Sequence, residues 1–286
     1  MRFLTSYLLF LLLFPLGMAA QPAVEYLPED SVKVEQLLQR VRTERGDENR
    51  VVWFGKQFLG LPYVAHTLEK GNEEHLIVNL RELDCTTYLG TVCALALCDE
   101  HNKRTFADFC HYLQQLRYYG GKIDGYTSRK HYFTQSSSDN IANGWLVSVL
   151  ENSNYAPLST QNVRINYMSR HPNSYKQLRL HPQFVKTIAA QERATSGKQF
   201  KYLHKSQLGK SQKQLNFIHN GDLVAIVTSK DGLDISHVGI ALWQNGTLRF
   251  MHASSTHKKV VIEPKPFYNY MQGITTNQGI RLFRLK

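Results

Sequence analysis

The stretch Leu83-Asp84-Cys85-Thr86-Thr87-Tyr88-Leu89 decides how this chain folds. A short apolar run, 76–80, precedes it, and apolar residues of helical period follow it. The pattern predicts a strand followed by a helix that begins at or near Cys85, with a polar residue capping its first turn. Unpaired N–H groups and the helix dipole favour negative charge there, so we expect a lowered thiol pKa and a nucleophilic cysteine. Most free cysteines are small buried hydrophobic residues, so this stretch alone favours a structural role.

Composition limits the classes of partner. The chain has 286 residues, of which 42% are hydrophobic, enough for one large domain or two small ones. Its formal net charge of +11 favours anionic partners such as nucleic acid, anionic lipid or an acidic cell-wall polymer. The basic residues are scattered, without a dense basic run or a nucleic-acid motif. We therefore expect no nucleic-acid partner.

The N-terminal residues indicate export. Arg2 provides a positive charge, residues 7–16 form an apolar run too short to span a bilayer easily, and residues 17–20 are mostly small. This pattern is typical of a secretory signal peptide, here residues 1–20, with cleavage after Ala19 or Ala20. We expect a periplasmic or secreted protein whose mature chain, 21–286, has no transmembrane segment.

The cysteines could form disulfides in an oxidising compartment. The sequence has four, Cys85, Cys93, Cys98 and Cys110. The first three fall on one predicted helix, where side chains at these offsets rarely meet. A bridge between Cys98 and Cys110 is the easiest to form, and at least one thiol other than Cys85 should stay free and buried.

Helical patterns dominate the first part of the chain and strands the last part. Predicted helices cover residues 31–45, with Ser31 as a candidate cap, 49–59, 105–119 and a segment through 184–189. Predicted strands cover residues 145–150, 222–228, 237–243, 248–253, 259–262 and 279–285. Residues 122–143 could equally be a binding surface or a solvated loop, and 198–213 is predicted as an exposed loop. This order indicates an α+β fold.

A hairpin brings two histidines together. Asn245-Gly246 is the strongest short signal for a two-residue hairpin turn. Pairing outward from it places Gly239 opposite His252, so His237 and His252 should be diagonal neighbours on one face. A bulge that shifts the register by one residue would move every side chain to the other face.

Two neighbouring imidazoles suit a relay with a cysteine. Cys85 would provide the sulfur, His237 would accept its proton, and His252 would fix the tautomer of the first ring. The histidines could instead bind a metal, with ligands from His66, His75 or Asp84, although no HExxH motif or close Cys/His cluster is present.

Four motifs in order resemble those of NlpC-type cell-wall cysteine hydrolases. They are Asp84-Cys85-Thr86, Gly221-Asp222-Leu223-Val224, His237-Val238-Gly239-Ile240 and His252-Ala253-Ser254-Ser255, with an upstream Gly60-Leu61-Pro62-Tyr63-Val64. Residues 79–87 and 125–133 are similar to one branch, the N-acetylmuramoyl-L-alanine amidase-like family, and the likeness spans about 52–285. The resemblance implies a papain-like fold, with a nucleophile helix packed on an antiparallel β-sheet and extra helices at the N-terminus and inserted. Residues 21–286 would be a single domain with an inserted substrate-binding region around 101–215.

The resemblance also assigns roles to residues. It implies Cys85 as nucleophile, His237 as base, His252 as the third member, and the Tyr63 hydroxyl with the Cys85 N–H as oxyanion donors. Asp84 and Ser236 would lie beside them, and Arg81 and Arg129 are candidate partners for substrate carboxylates, each of which could equally be a surface group.

The implied reaction is hydrolysis of peptidoglycan or muropeptides at the N-acetylmuramoyl-L-alanine amide bond, without a metal or other cofactor. Three alternatives are a γ-D-glutamyl endopeptidase acting on the stem peptide, a zinc-dependent amidase and a non-catalytic wall-binding module.

Overall fold

The structure is a computed structural model that describes residues 24–151 and 153–286. The predicted signal peptide, 1–20, lies outside the described residues. The described helices are α1 Pro28–Glu44, α2 Arg50–Lys56, α3 Cys85–Glu100, α4 Phe106–Arg117, α5 Phe133–Ala142, α6 Tyr167–Arg170, α7 Lys176–Leu180, α8 Gln183–Thr195 and α9 Phe267–Gln272. None of the helices in this part of the chain is long and apolar enough to cross a membrane.

The strands form one large antiparallel sheet and one small parallel pair. They are β1 Val24–Glu25, β2 Leu76–Ile77, β3 Leu146–Ser148, β4 Ser159–Asn162, β5 Gln199–His204, β6 Leu223–Thr228, β7 Ile235–Gln244, β8 Thr247–Ser254, β9 Lys259–Ile262 and β10 Asn277–Leu285. The large sheet has the order β4-β5-β10-β6-β7-β8-β9, with β3 also paired to β10, whereas β1 pairs with β2. The predicted combination of helices with an antiparallel sheet is confirmed.

The predicted hairpin has the expected turn and register. Asn245 and Gly246 have φ of 50° and 74°, the left-handed conformation that a primed two-residue turn requires at both positions. Trp243 pairs with Leu248, and the ladder continues without a shift to Ile240 and Met251. The two histidine positions therefore stay on one face of the sheet.

Helix α3 lies at the centre of the molecule. It is apolar on all sides, as expected for a helix that is covered all round. Helices α1, α2 and α4 cover one side, and strands β7 and β8 cover another. Val92, Leu95 and Ala96 are fully buried, so the body of α3 is anchored in the core.

Several details differ from the sequence predictions. Helix α1 begins at Pro28 and is capped by Asp30, whose Oδ2 accepts the Leu27 N–H at 3.0 Å, so Ser31 lies inside the helix. Helix α5 occupies part of the segment that was expected to be irregular, and strand β5 part of the expected loop. All four cysteines are free, so the bridge between Cys98 and Cys110, the pairing predicted to form most easily, is absent.

Helix α5 shows why a polar element can escape prediction. Helix α5 is rich in serine and other polar residues, and its buried polar face is bonded to the rest of the protein. For example, Asn140 accepts a hydrogen bond from the buried Lys130 ammonium at 2.9 Å, and the Thr134 N–H donates to Asp234 at 2.7 Å. Tertiary contacts of this kind override local propensity and leave no periodic apolar signal.

Candidate active site

Cys85 is the first residue of α3 and lies on the wall of a cavity. Asp84 caps the helix, because its Oδ1 accepts the Thr87 N–H at 2.7 Å. The cavity has a volume of about 420 Å³, and its wall also includes Asp84, Ser236, His237 and Arg129. The helix predicted from the motif thus places the Cys85 thiol in the same cavity as His237, the first histidine of the hairpin.

The thiol pKa differs from the sequence expectation. Burial, followed by the Asp84 charge, raises the pKa of Cys85 to about 12. Hydrogen bonds from the Val238 backbone and from Thr86 act in the opposite direction. Loss of solvent and the capping carboxylate therefore outweigh the helix N-terminus, and the resting sulfur is a protonated thiol.

His237 and His252 are in direct contact. His237 Nε2 and His252 Nδ1 are 2.6 Å apart, and the rings are nearly perpendicular, at 87°. Burial lowers the pKa of His237 to about 4 and that of His252 to about 2. Both rings are consequently neutral at neutral pH, and one of them donates an N–H hydrogen bond to the other.

A glycine and a phenylalanine make this contact possible. A Cβ at Gly239 would lie 2.5 Å from Phe250 Cε2 and 2.7 Å from the Met251 carbonyl oxygen. The missing side chain makes room for the Phe250 ring, which stacks on His252 with 4.5 Å between ring centroids. The glycine of the His237-Val238-Gly239 motif thus has a packing role in placing the imidazoles.

Tyr63 lies beside the start of α3. It forms a parallel bridge with Leu83, two residues before Cys85. Burial, followed by the nearby Cys85 and Asp84 side chains, raises the pKa of Tyr63 to about 12, so its hydroxyl stays protonated and can donate a hydrogen bond.

The two candidate arginines have partners within the protein. Arg81 is absent from the cavity wall, and its Nη2 lies 3.2 Å from Oδ2 of Asp30 in α1. Arg129 lines the cavity but is paired with Glu69 and with Glu74.

Ser236 also lines the cavity, next to the first histidine. Its Oγ is 3.4 Å from Asn277 Oδ1 and 3.5 Å from the Ile226 carbonyl oxygen. These contacts hold the hydroxyl at the junction of β6, β7 and β10.

Sequence reasoning missed Glu263. This residue directly follows β9 and is 4% exposed, and its Oε2 lies 3.6 Å from His252 Nε2. An isolated glutamate after a strand carries no motif, so only the three-dimensional structure brings it to the histidines.

The described residues do not provide a set of ligands for the alternative of a metal centre. No group of three or more His, Cys, Asp and Glu side chains in residues 24–151 and 153–286 is placed to hold a metal ion. His66 and Asp84 line the cavity, whereas His75 pairs with Glu73 at 3.7 Å.

Comparison with known proteins gives a family match over most of the chain. The family model described as N-acetylmuramoyl-L-alanine amidase-like matches residues 53–280, a range that contains Cys85, His237 and His252. No curated protein matches the chain.

Several solved structures share the fold. An N-acetylmuramoyl-L-alanine amidase from Bacteroides uniformis is 40% identical, with a TM-score of 0.78, over 83% of this chain and 97% of that one. A Bacteroides fragilis protein named as a candidate xylanase is 39% identical, with a TM-score of 0.76, over 82% and 99%. A Legionella pneumophila protein from a family of unknown function is 21% identical, with a TM-score of 0.69, over 90% and 94%, and shows the fold alone.

Proposed function

Because this chain belongs to the N-acetylmuramoyl-L-alanine amidase-like family, we propose that it is a cysteine amidase that hydrolyses peptidoglycan or its released muropeptides. One observation carries the proposal. Cys85 and His237 line the same cavity, and His237 is bonded to a second, buried imidazole. This arrangement supports the proposed roles of Cys85 as nucleophile, His237 as base and the second imidazole as orienting group.

The bond that we propose is the amide between the lactyl carbonyl of N-acetylmuramic acid and L-alanine. His237 accepts the Cys85 proton as the sulfur attacks this carbonyl, so a C–S bond forms. The protonated imidazole then donates to the nitrogen as the C–N bond breaks, and the peptide amine leaves. Water, deprotonated by His237, hydrolyses the thioester and restores the thiol.

Two donors would stabilise the tetrahedral intermediate. The Tyr63 hydroxyl and the Cys85 N–H are the groups that we assign to the developing oxyanion. We assign no substrate contact to Arg81, which is tied to Asp30, and Arg129 could bind a substrate carboxylate only by releasing Glu69 or Glu74. Removing a partner from a buried ion pair costs roughly 3–5 kcal/mol, so Arg129 is better suited to holding the cavity wall.

The remaining assignments follow from the same proposal. The helix that carries the nucleophile packs on an antiparallel sheet, which supports a papain-like arrangement. The cavity wall also includes Tyr126, Met168 and Tyr175, from the region that we propose binds substrate, around 101–215. Cell-wall substrates lie outside the cytoplasm, so we propose an exported protein, periplasmic or secreted.

A glycosidase reaction, as the name of the B. fragilis relative would imply, fits the cavity less well. Glycoside hydrolysis requires two free carboxyl groups across the scissile bond. Three cavity carboxylates already have partners, since Asp84 caps α3, Asp234 accepts the Thr134 N–H, and Glu69 pairs with Arg129.

Digestion of a defined N-acetylmuramoyl tripeptide, followed by mass spectrometry, tests the proposal. The native enzyme should release the sugar and the intact peptide, and Cys85→Ala should lower the rate by at least about 10⁴-fold because the nucleophile is gone. Cys93→Ala, which removes another thiol on the cavity wall, is the matched control and should retain activity.

Four results would contradict the proposal. The first is turnover by Cys85→Ala, and the second is loss of activity on chelation, which would favour a zinc amidase. The third is a cut at the γ-D-glutamyl bond, which would favour the endopeptidase, and the fourth is binding of the fragment without cleavage, which would favour a wall-binding module.

A further inference from the structure

A line of three side chains extends from the cavity into the protein. His237 Nε2 lies 2.6 Å from His252 Nδ1, and His252 Nε2 lies 3.6 Å from Glu263 Oε2. His252 is 1% exposed and Glu263 is 4% exposed, so water does not compete for these groups. The order is therefore imidazole, imidazole, carboxylate, with the carboxylate farthest from the sulfur.

The other ring nitrogen of His252, Nε2, has few polar groups near it. This nitrogen is buried and has no hydrogen-bond partner among the described residues, and the Glu263 carboxylate is its charged neighbour. Phe250 stacks on the His252 ring and Tyr270 packs against it at 5.5 Å, which restricts rotation of the imidazole. A buried N–H without an acceptor is costly, so the proton on this nitrogen is directed to Glu263.

The other side of the buried carboxylate faces residues nearer the surface. His257, whose side chain is 37% exposed, places Nε2 at 3.2 Å from the same Oε2, and the Lys265 N–H donates to Oε1 at 3.4 Å. Glu263 thus has one partner on the buried side and two on the outer side. The Lys265 N–H, which belongs to the backbone, holds the carboxylate from this side whether or not His257 is present.

We propose that Glu263 is a positioning residue that sets the tautomers of both histidines, an inference that rests on the proposed cysteine amidase function. Glu263 keeps the proton of His252 on Nε2, so His252 Nδ1 must accept the bond from His237 Nε2–H. His237 Nδ1 is then the unprotonated nitrogen, and it alone can take the proton of Cys85. An ionised carboxylate can only accept hydrogen bonds, so it determines which nitrogen of His252 carries the proton. Through the bond between the two rings it also determines which nitrogen of His237 does.

Replacing Glu263 with glutamine should move the proton of each histidine from Nε2 to Nδ1. Because the Lys265 N–H donates at the Oε1 position, the glutamine oxygen should occupy that position, and its amide NH₂ should face His252 Nε2. An NH₂ that donates to this nitrogen would move the His252 proton to Nδ1. That proton would be donated to His237 Nε2, and the His237 proton would then reside on Nδ1, where it blocks the base. The substitution preserves size and most packing, so its effect reports on the tautomers.

The experiment compares Glu263→Gln with His257→Gln, the matched control that removes the outer partner of the same oxygen. We expect kcat of Glu263→Gln on the muropeptide to fall about 10²-fold or more, with KM within about twofold, because the wrong tautomer impairs only the chemical step. We expect kcat of His257→Gln to stay within about threefold, since its contact is partly solvated.

Nitrogen-15 NMR of the imidazoles gives a readout that does not depend on turnover. In the native protein at neutral pH, His252 should be protonated at Nε2 and His237 at Nε2, and both should switch to Nδ1 in Glu263→Gln. If Glu263→Gln fails to fold, the native spectrum alone decides, because a proton on His252 Nδ1 overturns the proposal.

The proposal also fails if Glu263→Gln keeps native kcat and native tautomers. That failure is distinct from failure of the amidase function, which would appear as undiminished hydrolysis by Cys85→Ala whatever the tautomers are.

Discussion

At the scale of the residue, opposing influences act on the Cys85 sulfur. The helix start and the Val238 backbone favour a thiolate, whereas burial and the Asp84 charge favour a thiol and prevail. His237 is held neutral by burial, so it can act as a base as soon as a substrate carbonyl approaches. In the proposed reaction, the proton transfer would therefore accompany attack on the substrate rather than precede it.

Tyr63→Phe tests the proposed oxyanion donor. Removing the hydroxyl should lower kcat by roughly 10²–10³-fold, the usual effect of losing one such donor, with little change in KM. The measurement is steady-state kinetics on the muropeptide. The pKa of Tyr63 is raised to about 12, so the hydroxyl stays protonated at ordinary assay pH. The loss of kcat should therefore be the same at any pH from about 6 to about 9. A variant with native kcat would remove Tyr63 from the reaction.

The sequence identified the residues with a chemical signature and missed those without one. A cysteine at a predicted helix start and two histidines in a predicted hairpin can be found from spacing alone. Glu263 could not, because its role depends on β9 lying beside β8. The Cys85 pKa also required the structure, since burial is a property of the packed molecule.

At the scale of the element, two glycines differ in how closely other atoms approach them. A Cβ at Gly239 would clash with Phe250 and with the Met251 backbone, whereas a Cβ at Gly90 in α3 meets only Leu113, at 3.8 Å. Gly239→Ala should lower the free energy of unfolding by about 1–3 kcal/mol and impair turnover, because Phe250 must move and it supports His252.

Gly90→Ala is the control for this prediction. It should raise the free energy of unfolding by up to about 1 kcal/mol, since alanine favours a helix interior. Urea denaturation measures both variants. Equal stability of Gly239→Ala and the native protein would show that the close approach at β7 and β8 carries no constraint.

Elements with strong local signals were predicted well, and elements built by tertiary contacts were not. The turn at Asn245 and Gly246 requires left-handed residues, so its sequence specifies register through β7 and β8. Strand β9, at Lys259–Ile262, has the predicted bounds. Helix α5 and strand β5 are polar and gain their order from long-range partners, so periodicity could not reveal them.

At the scale of the whole molecule, buried neutral histidines link stability to pH. Burial lowers the pKa of His131 to about 3, of His237 to about 4 and of His252 to about 2, from 6.5. Between pH 6.5 and about 4 the unfolded chain binds protons at these sites that the folded protein excludes. Their contribution to stability is therefore complete above pH 6.5 and declines as the pH falls toward 4.

Urea denaturation at several pH values measures this linkage. With three protons taken up on unfolding, the free energy of unfolding should fall by up to roughly 4 kcal/mol per pH unit near pH 5. His252→Asn should reduce that slope by about one third, because one of the three sites is gone. A free energy of unfolding that is constant from pH 7 to pH 4 would contradict the burial of neutral imidazoles.

The central claim is that Cys85 forms a thioester with the lactyl group of N-acetylmuramic acid, and acid quenching during turnover followed by peptide mapping tests it most directly. Mass spectrometry should find an acyl adduct of the muramoyl mass on the peptide that contains Cys85, and none on peptides with the other cysteines. Turnover by the native enzyme with no adduct at Cys85, together with an active Cys85→Ala variant, would contradict the account.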